Sequence, residues 1–379
     1  MFSQSHSKSY ITMNKKFHIS AIIIISFFTS CSTERPHFTE KTIDDQAPEF
    51  VWMKSTGDIN QDGKIDMLAG GWQKGGMVAY LAPDWKKQII IDTLKISTDA
   101  EVCDIDNNSI PDVVAVADGA IIWLSGPDWK INLIDSIIGH DVEVNDFDQD
   151  GLLDVVARNQ GAFGKHEGYT LYFYNQKPAN TWIRYEKNIL NGEGLKMADI
   201  NNDQKQDIVT NGYWFENTGN MAEWTEHKIT DTWKWPNTAI DAADINNDGL
   251  IDILFSPSEL SGDYYHVSWF EAPKDPSGIW KENIVADSIE TVVHSMGVAD
   301  FDSDGKKDII IAEMQQGVDP DEVTIFFNQG RNRWEKEVIS TGGSHSMRLF
   351  DFDGDGDTDA FGANHADHVV KMWVNESNK

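Results

Sequence analysis

Asp300-Phe301-Asp302-Ser303-Asp304-Gly305-Lys306-Lys307-Asp308, running straight into Ile309-Ile310-Ile311, is the stretch that decides this chain. Carboxylates at positions 1, 3, 5 and 9 of one short loop repel each other unless a cation sits among them. The glycine at position 6 lets the backbone fold back on that cation. Oxygen donors at this spacing suit a hard ion, calcium before magnesium. A helix–loop–helix calcium site would continue to a glutamate at position 12 and enter a helix. Here a β-branched run follows position 9, so the loop joins two strands.

The register recurs at Asp58-Asn60-Asp62-Asp66, Asp104-Asp106-Asn108-Asp112, Asp146-Asp148-Asp150-Asp154 and Asp199-Asn201-Asp203-Asp207. It returns at Asp244-Asn246-Asp248-Asp252 and, after the copy at Asp300-Asp302-Asp304-Asp308, at Asp351-Asp353-Asp355-Asp359. The seven copies begin 42 to 56 residues apart. Repeats of this length that hold only strands predict an all-β, seven-bladed β-propeller, one blade per repeat. Each blade reads as strand A, cation loop, strand B, strand C, turn and strand D. A tryptophan opens six D strands (Trp85, Trp129, Trp182, Trp224, Trp280, Trp334), in register, as expected of packing between blades. The last repeat stops after its third strand, whereas His37–Asp44 has the pattern of a D strand. The N-terminal strand is therefore expected to complete the seventh blade and leave no open edge.

The chain has 379 residues and a net charge of −31. Of its 62 acidic residues, 24 are aspartates at the four loop positions, so much of the charge belongs to the cation loops. No basic face is apparent for phosphate binding, which excludes nucleic acid as a partner. Two cysteines give no disulfide framework, and Cys103 reads as a small buried thiol. Lys15 and Lys16, the apolar run Ile19–Phe28 and Phe28-Thr29-Ser30-Cys31 describe a signal peptide. The tetrapeptide resembles a bacterial lipobox, with Phe28 where leucine is favoured and Cys31 as the acylated residue. The expected organisation is a leader over 1–31 and a propeller over 32–379, in a monomeric envelope lipoprotein, periplasmic or at the cell surface. Its only membrane contact would be the lipid anchor.

The Asp-x-Asp-x-Asp-Gly-x-x-Asp loop before an apolar strand, once per blade, resembles the FG-GAP/VCBS repeat family. That family includes the integrin α-chain head and many bacterial surface proteins. The resemblance runs from about His37 to Val374 and implies a propeller with calcium in its loops. Ser109 and Gln204 stand where the turn glycine is expected, so tight calcium binding is not expected in those two blades.

With strand A innermost, the residue six places before each first aspartate should ring the axial mouth opposite the cation loops. That ring is Trp52, Thr98, His140, Glu193, Thr238, His294 and His345. Three of the chain's 11 histidines share this offset. At the exits of strand B stand Arg158, Asn159, Tyr213, Glu313, Asn364 and His365; neighbouring loops add Trp72, Trp233, Trp235, Tyr264, Tyr265 and His266. An aromatic rim around a polar centre suits sugar rings. His140, His294 and His345 with Glu313 could hold zinc or another divalent ion with an open position. Alternatively, a histidine could remove a proton beside a carbonyl while Arg158 steadies the enolate. Both fit β-elimination or dehydration of an acidic glycan or keto sugar. The repeat type also resembles the propeller of aldos-2-ulose dehydratase and, more distantly, calcium-loop rhamnogalacturonan lyases. Asn159, Tyr213, Asn364, His365, Trp72, Trp233 and Trp235 are the expected sugar contacts. The other reading is an adhesion propeller without turnover, its histidines plugging the channel.

Overall fold

The computed structural model describes residues 35–159, 170–189, 192–258 and 260–378. Cys31 and the expected leader lie outside them. Residues 35–379 form one compact unit.

Strand β1 (Phe38–Asp44) precedes the first full blade, β2–β5 (Glu49–Gly57, Asp66–Lys74, Met77–Leu81, Lys86–Ile91). Blade 2 is β6–β9 (Ile96–Cys103, Asp112–Ala117, Ala120–Ser125, Lys130–Asp135). Blade 3 is β10–β13 (Gly139–Asn145, Asp154–Asn159, Thr170–Lys177, Thr181–Asn188). Blade 4 is β14–β17 (Lys196–Ala198, Asp207–Thr210, Tyr213–Asn220, Glu223–Lys228). Blade 5 is β18–β21 (Thr238–Ala243, Asp252–Pro257, Leu260–Glu271, Lys281–Thr291). Blade 6 is β22–β25 (Val293–Ala299, Asp308–Glu313, Val323–Asn328, Trp334–Ser340). Strands β26–β28 (Ser346–Phe350, Asp359–Ala363, Val370–Asn375) pair in the order β1-β28-β27-β26, so the first strand closes the seventh sheet. All neighbouring strands are antiparallel, as in β1 on β28 with Phe38 opposite Asn375.

Strand B is buried on both faces, as in Asp112–Ala117 and Asp308–Glu313, because each sheet packs between two others. The six D-strand tryptophans all join apolar clusters between blades, Trp129 with Leu124 and Trp334 with Phe326 among them. Strands A of adjacent blades contact one another and line the axis.

The aspartate at loop position 9 is the corner of every blade. Asp66, Asp112, Asp154, Asp207, Asp252, Asp308 and Asp359 are all buried. One oxygen of each accepts the amide of loop position 2, as Asp308 does from Phe301 at 3.0 Å. The other accepts an amide at the end of strand C, at 2.8 Å in each blade. One side chain thus ties the cation loop to two strands.

Candidate functional site

In the cation loops, the first aspartate accepts the amides of positions 5 and 6, as Asp300 does from Asp304 and Gly305. Carboxylate oxygens converge within 4.8 Å in Asp104/Asp106/Asp112, Asp146/Asp148/Asp154, Asp300/Asp302/Asp304 and Asp351/Asp353/Asp355. The copies with Asn60, Asn201 and Asn246 offer an amide oxygen at position 3 instead. Burial, and then neighbouring loop carboxylates, push the position-9 acids up, to about 6 for Asp112 and Asp154. Asp207, Asp252, Asp308 and Asp359 rise to about 7. Like charges held this closely fit a hard cation with oxygen ligands. Ser109 and Gln204 adopt the same left-handed turn (φ 67° and 69°) and the same amide-to-aspartate bonds as the glycine copies. The departure in sequence therefore leaves the loop's shape intact.

At the opposite end of strands A, a cavity of about 480 Å³ opens on the axis. Thr98, His140, Glu193, Thr238, His294 and His345 all line it. Each histidine is oriented through Nδ1. That atom donates to the Asp141 carboxylate in His140 (3.0 Å), to the His345 carbonyl in His294 (2.8 Å) and to the Trp52 carbonyl in His345 (3.2 Å). A carbonyl can only accept, so in His294 and His345 the proton lies on Nδ1 and Nε2 keeps a lone pair. Glu193 stands between two imidazoles, one oxygen 3.5 Å from His140 Nε2 and the other 3.4 Å from His294 Nε2. These gaps exceed the roughly 2.7–2.9 Å of a charge-assisted hydrogen bond. They match the edge of about 3.3 Å between ligands on a tetrahedral ion with bonds near 2.05 Å. His140, Glu193 and His294 form one buried group with ligand atoms mutually within 4.8 Å.

A ladder of stacked rings starts at two of these histidines and leaves the cavity lining at Trp52, so Trp52, expected in the axial ring, does not line the cavity. His294 lies on His345 (centroids 4.1 Å), His345 on Trp52 (5.9 Å), and Trp52 on both Trp72 (5.3 Å) and His365 (5.2 Å). Lys95 sits 5.2 Å from the Trp72 ring. Burial, then His294 and the enclosed Lys54, hold His345 well below the ordinary imidazole value. His365 is lowered to about 4 by burial and then His294. Both rings stay neutral at pH 7.

Deeper in the channel lies a charged belt. Arg348 meets Asp99 at 2.8 Å, and Lys196 meets Asp241 at 3.0 Å. Burial, followed by neighbouring carboxylates, pushes Glu101 up to about 7 and Glu143 to about 8. Burial opposes ionisation of Asp141 as well, but His140 beside it holds that carboxyl below its usual value.

Some expected site residues lie elsewhere. Glu313 does not join the imidazoles; its carboxylate accepts the Glu322 amide at 3.0 Å and faces Asp319, Glu322 and Glu290. Arg158 is 0% exposed and so cannot touch a solute; it donates to the Gly194 carbonyl and to Asn211 Oδ1 (2.8 Å). Asn364 binds Asp321, the Gly342 carbonyl and the amides of Gln315 and His365, which makes it a loop tie. Asn159 ends β11 opposite Gly139. Trp233 packs on Phe255 and donates to Thr238, while Tyr213 and Trp235 border a separate pocket. Glu193, a member of the ring by its offset, stands with the imidazoles in the place expected for Glu313; its signal in sequence is a carboxylate at the histidine register.

A family model for FG-GAP-like repeats matches residues 146–210, 199–255 and 300–362. A solved structure of an Agrocybe aegerita lectin, described as recognising non-reducing terminal N-acetylglucosamine, has a similar fold. Its TM-score is 0.51 and its identity 15%, over 83% of this chain and 85% of that one. The BBS1N structure in complex with ARL6DN aligns with TM-score 0.56 and 11% identity, over 91% and 99%. At such identities the likeness is one of fold. No curated protein sequence matches the chain.

Proposed function

From a chain that carries FG-GAP-like repeats in a seven-bladed propeller, we propose a carbohydrate-active protein with calcium in its blade loops and a divalent transition-metal ion at the axial mouth. The carrying observation is the spacing of His140, Glu193 and His294, with the outer nitrogens of both imidazoles already anchored. Two histidines and a glutamate leave a fourth position for water or substrate, the pattern of catalytic rather than structural zinc sites. A metal ion there supplies Lewis acidity toward a carbonyl oxygen. The fold's likeness to a sugar-binding lectin supports a carbohydrate ligand.

Charge selects between the two sugar classes. Asp99, Asp141 and Asp241, with Glu101 partly ionised, outnumber Lys196 and Arg348 along the channel, which disfavours a uronate relative to a neutral or keto sugar. The reaction is β-elimination or dehydration: a proton leaves the carbon beside the carbonyl and an oxygen leaves from the next carbon. His345 lines the cavity in neutral form and is the group that takes the proton. Its depressed basicity suffices only against a carbon already acidified by its carbonyl. Cys31 is proposed as the lipid-bearing residue of an envelope protein; loss of metabolic palmitate labelling in Cys31→Ser tests that separately.

The experiment is zinc titration by calorimetry, followed by neutral, keto and uronate sugars assayed for enone absorbance. The expected result is one zinc site lost in His294→Ala and Glu193→Gln, and product from a keto sugar in the wild type alone. Glycan binding without product identifies an adhesion propeller. Undiminished zinc binding in both variants sinks the metal site.

A further inference from the structure

A second cavity of about 290 Å³ lies beside the axial mouth, lined by residues 211–213, 230–231 and 233–236. Tyr213 and Trp235 supply half-buried aromatic surface, and Asp231 and Lys234 supply an acceptor and a donor of opposite charge. Trp235 is held edge-on against Tyr265, centroids 5.2 Å apart. Apolar ring faces with a few polar groups at the edge are what a hexose requires of a pocket.

The two cavities share one thin wall. Thr238 lines the axial cavity, yet its hydroxyl donates to the Trp235 carbonyl at 3.1 Å and accepts from Trp233 Nε1 at 2.9 Å. Pro236 lines the side pocket, yet its carbonyl accepts the Glu193 amide at 3.2 Å. Asn211 ties the wall from behind, donating to the Pro236 carbonyl at 3.0 Å. A sugar ring in the side pocket is therefore a close neighbour of one at the histidines.

We infer that the ligand is an oligosaccharide of at least two rings, one seated at His140, Glu193 and His294 and the next against Tyr213 and Trp235. This rests on the carbohydrate reading of the axial mouth and adds the substrate's length to it. A lone monosaccharide would leave the second pocket unused, and its affinity would be lower for that reason.

The test is calorimetry of zinc-loaded, full-length protein against neutral oligosaccharides of one to four rings. Affinity should rise by tenfold or more from one ring to two and then level. Trp235→Ala and, independently, Tyr213→Ala should erase that rise while leaving zinc affinity and single-ring affinity near wild type. A series flat in length, or a rise that survives both substitutions, overturns the second pocket. Failure of every oligosaccharide to bind, with zinc still bound, overturns the carbohydrate reading itself.

Discussion

Arg158 acts at one remove from the axial mouth. Its guanidinium grips the Gly194 carbonyl and, through Asn211, the Pro236 carbonyl that also receives the Glu193 amide. Arg158→Lys keeps the charge but loses the fork. Zinc affinity measured by calorimetry should fall about 10- to 100-fold, the usual cost of disturbing a ligand's support. Unchanged affinity would leave the arginine a purely structural part. Glu143 contributes one part of the pH dependence, beside Glu101 and Glu313. Burial, then Glu101 and Asp99, raise its pKa to about 8 against the pull of Lys196. An acid raised in the folded state stabilises below its unfolded value and loses that contribution as pH climbs through the folded one. With calcium present, Glu143→Gln should raise the melting temperature at pH 8.5 and flatten its decline between pH 6 and 8.5. Calorimetric scans at several pH values decide. The histidine ring was legible in the sequence because strand register fixes which residues share a rim. Glu193 carries that same register, whereas the partners of Arg158 and the separation of Glu313 from the imidazoles depend on side-chain reach, which leaves no periodic mark.

Between elements, two amide devices recur that the loop motif did not announce. The first joins the end of strand C to loop position 2 of the preceding blade: Gln176 to Ile105, Asn217 to Phe147, Asn328 to Ile245 and Asn375 to Phe301. The second runs along the exposed rim from loop position 4 to the next loop: Gln61 to Ser109, Asn107 to Gly151, Gln149 to Gln204, Asn202 to Gly249 and Asn247 to Gly305. Burial separates them in energy. Asn217→Ala strands a buried carbonyl and should cost about 1–3 kcal/mol in denaturant unfolding. Gln149→Ala on the wet rim, where glutamine and alanine are comparably disfavoured in the left-handed turn, should cost less than about 0.5 kcal/mol. Equal costs would contradict this division. The D-strand tryptophans could be read in advance because they are large, apolar and in register; a lone Asn or Gln is indistinguishable in sequence from a surface residue.

At the scale of the ring, the aspartate corners carry charge that the fold alone does not neutralise. Cations that bind only the folded state stabilise it by mass action, so chelation with EDTA should lower the melting temperature and added calcium should restore it. An unchanged melting temperature in EDTA would remove calcium from the blades. Blade count and closure were readable from spacing and from the missing seventh D strand, since a ring tolerates no unpaired edge.

Ser303 and Gly354 hold loop position 4 in the last two blades, where neither can supply the amide that laces the others together. The same sector is shut by β1 on β28, with Phe38 opposite Asn375, so the described chain begins and ends at one end of that pair. Tension between the two ends would open this pairing like a zip, one bond at a time, rather than shear it all at once. In optical-tweezer extension the first event should be a low-force release of roughly 2–3 nm, the reach of seven extended residues, while six sectors still stand.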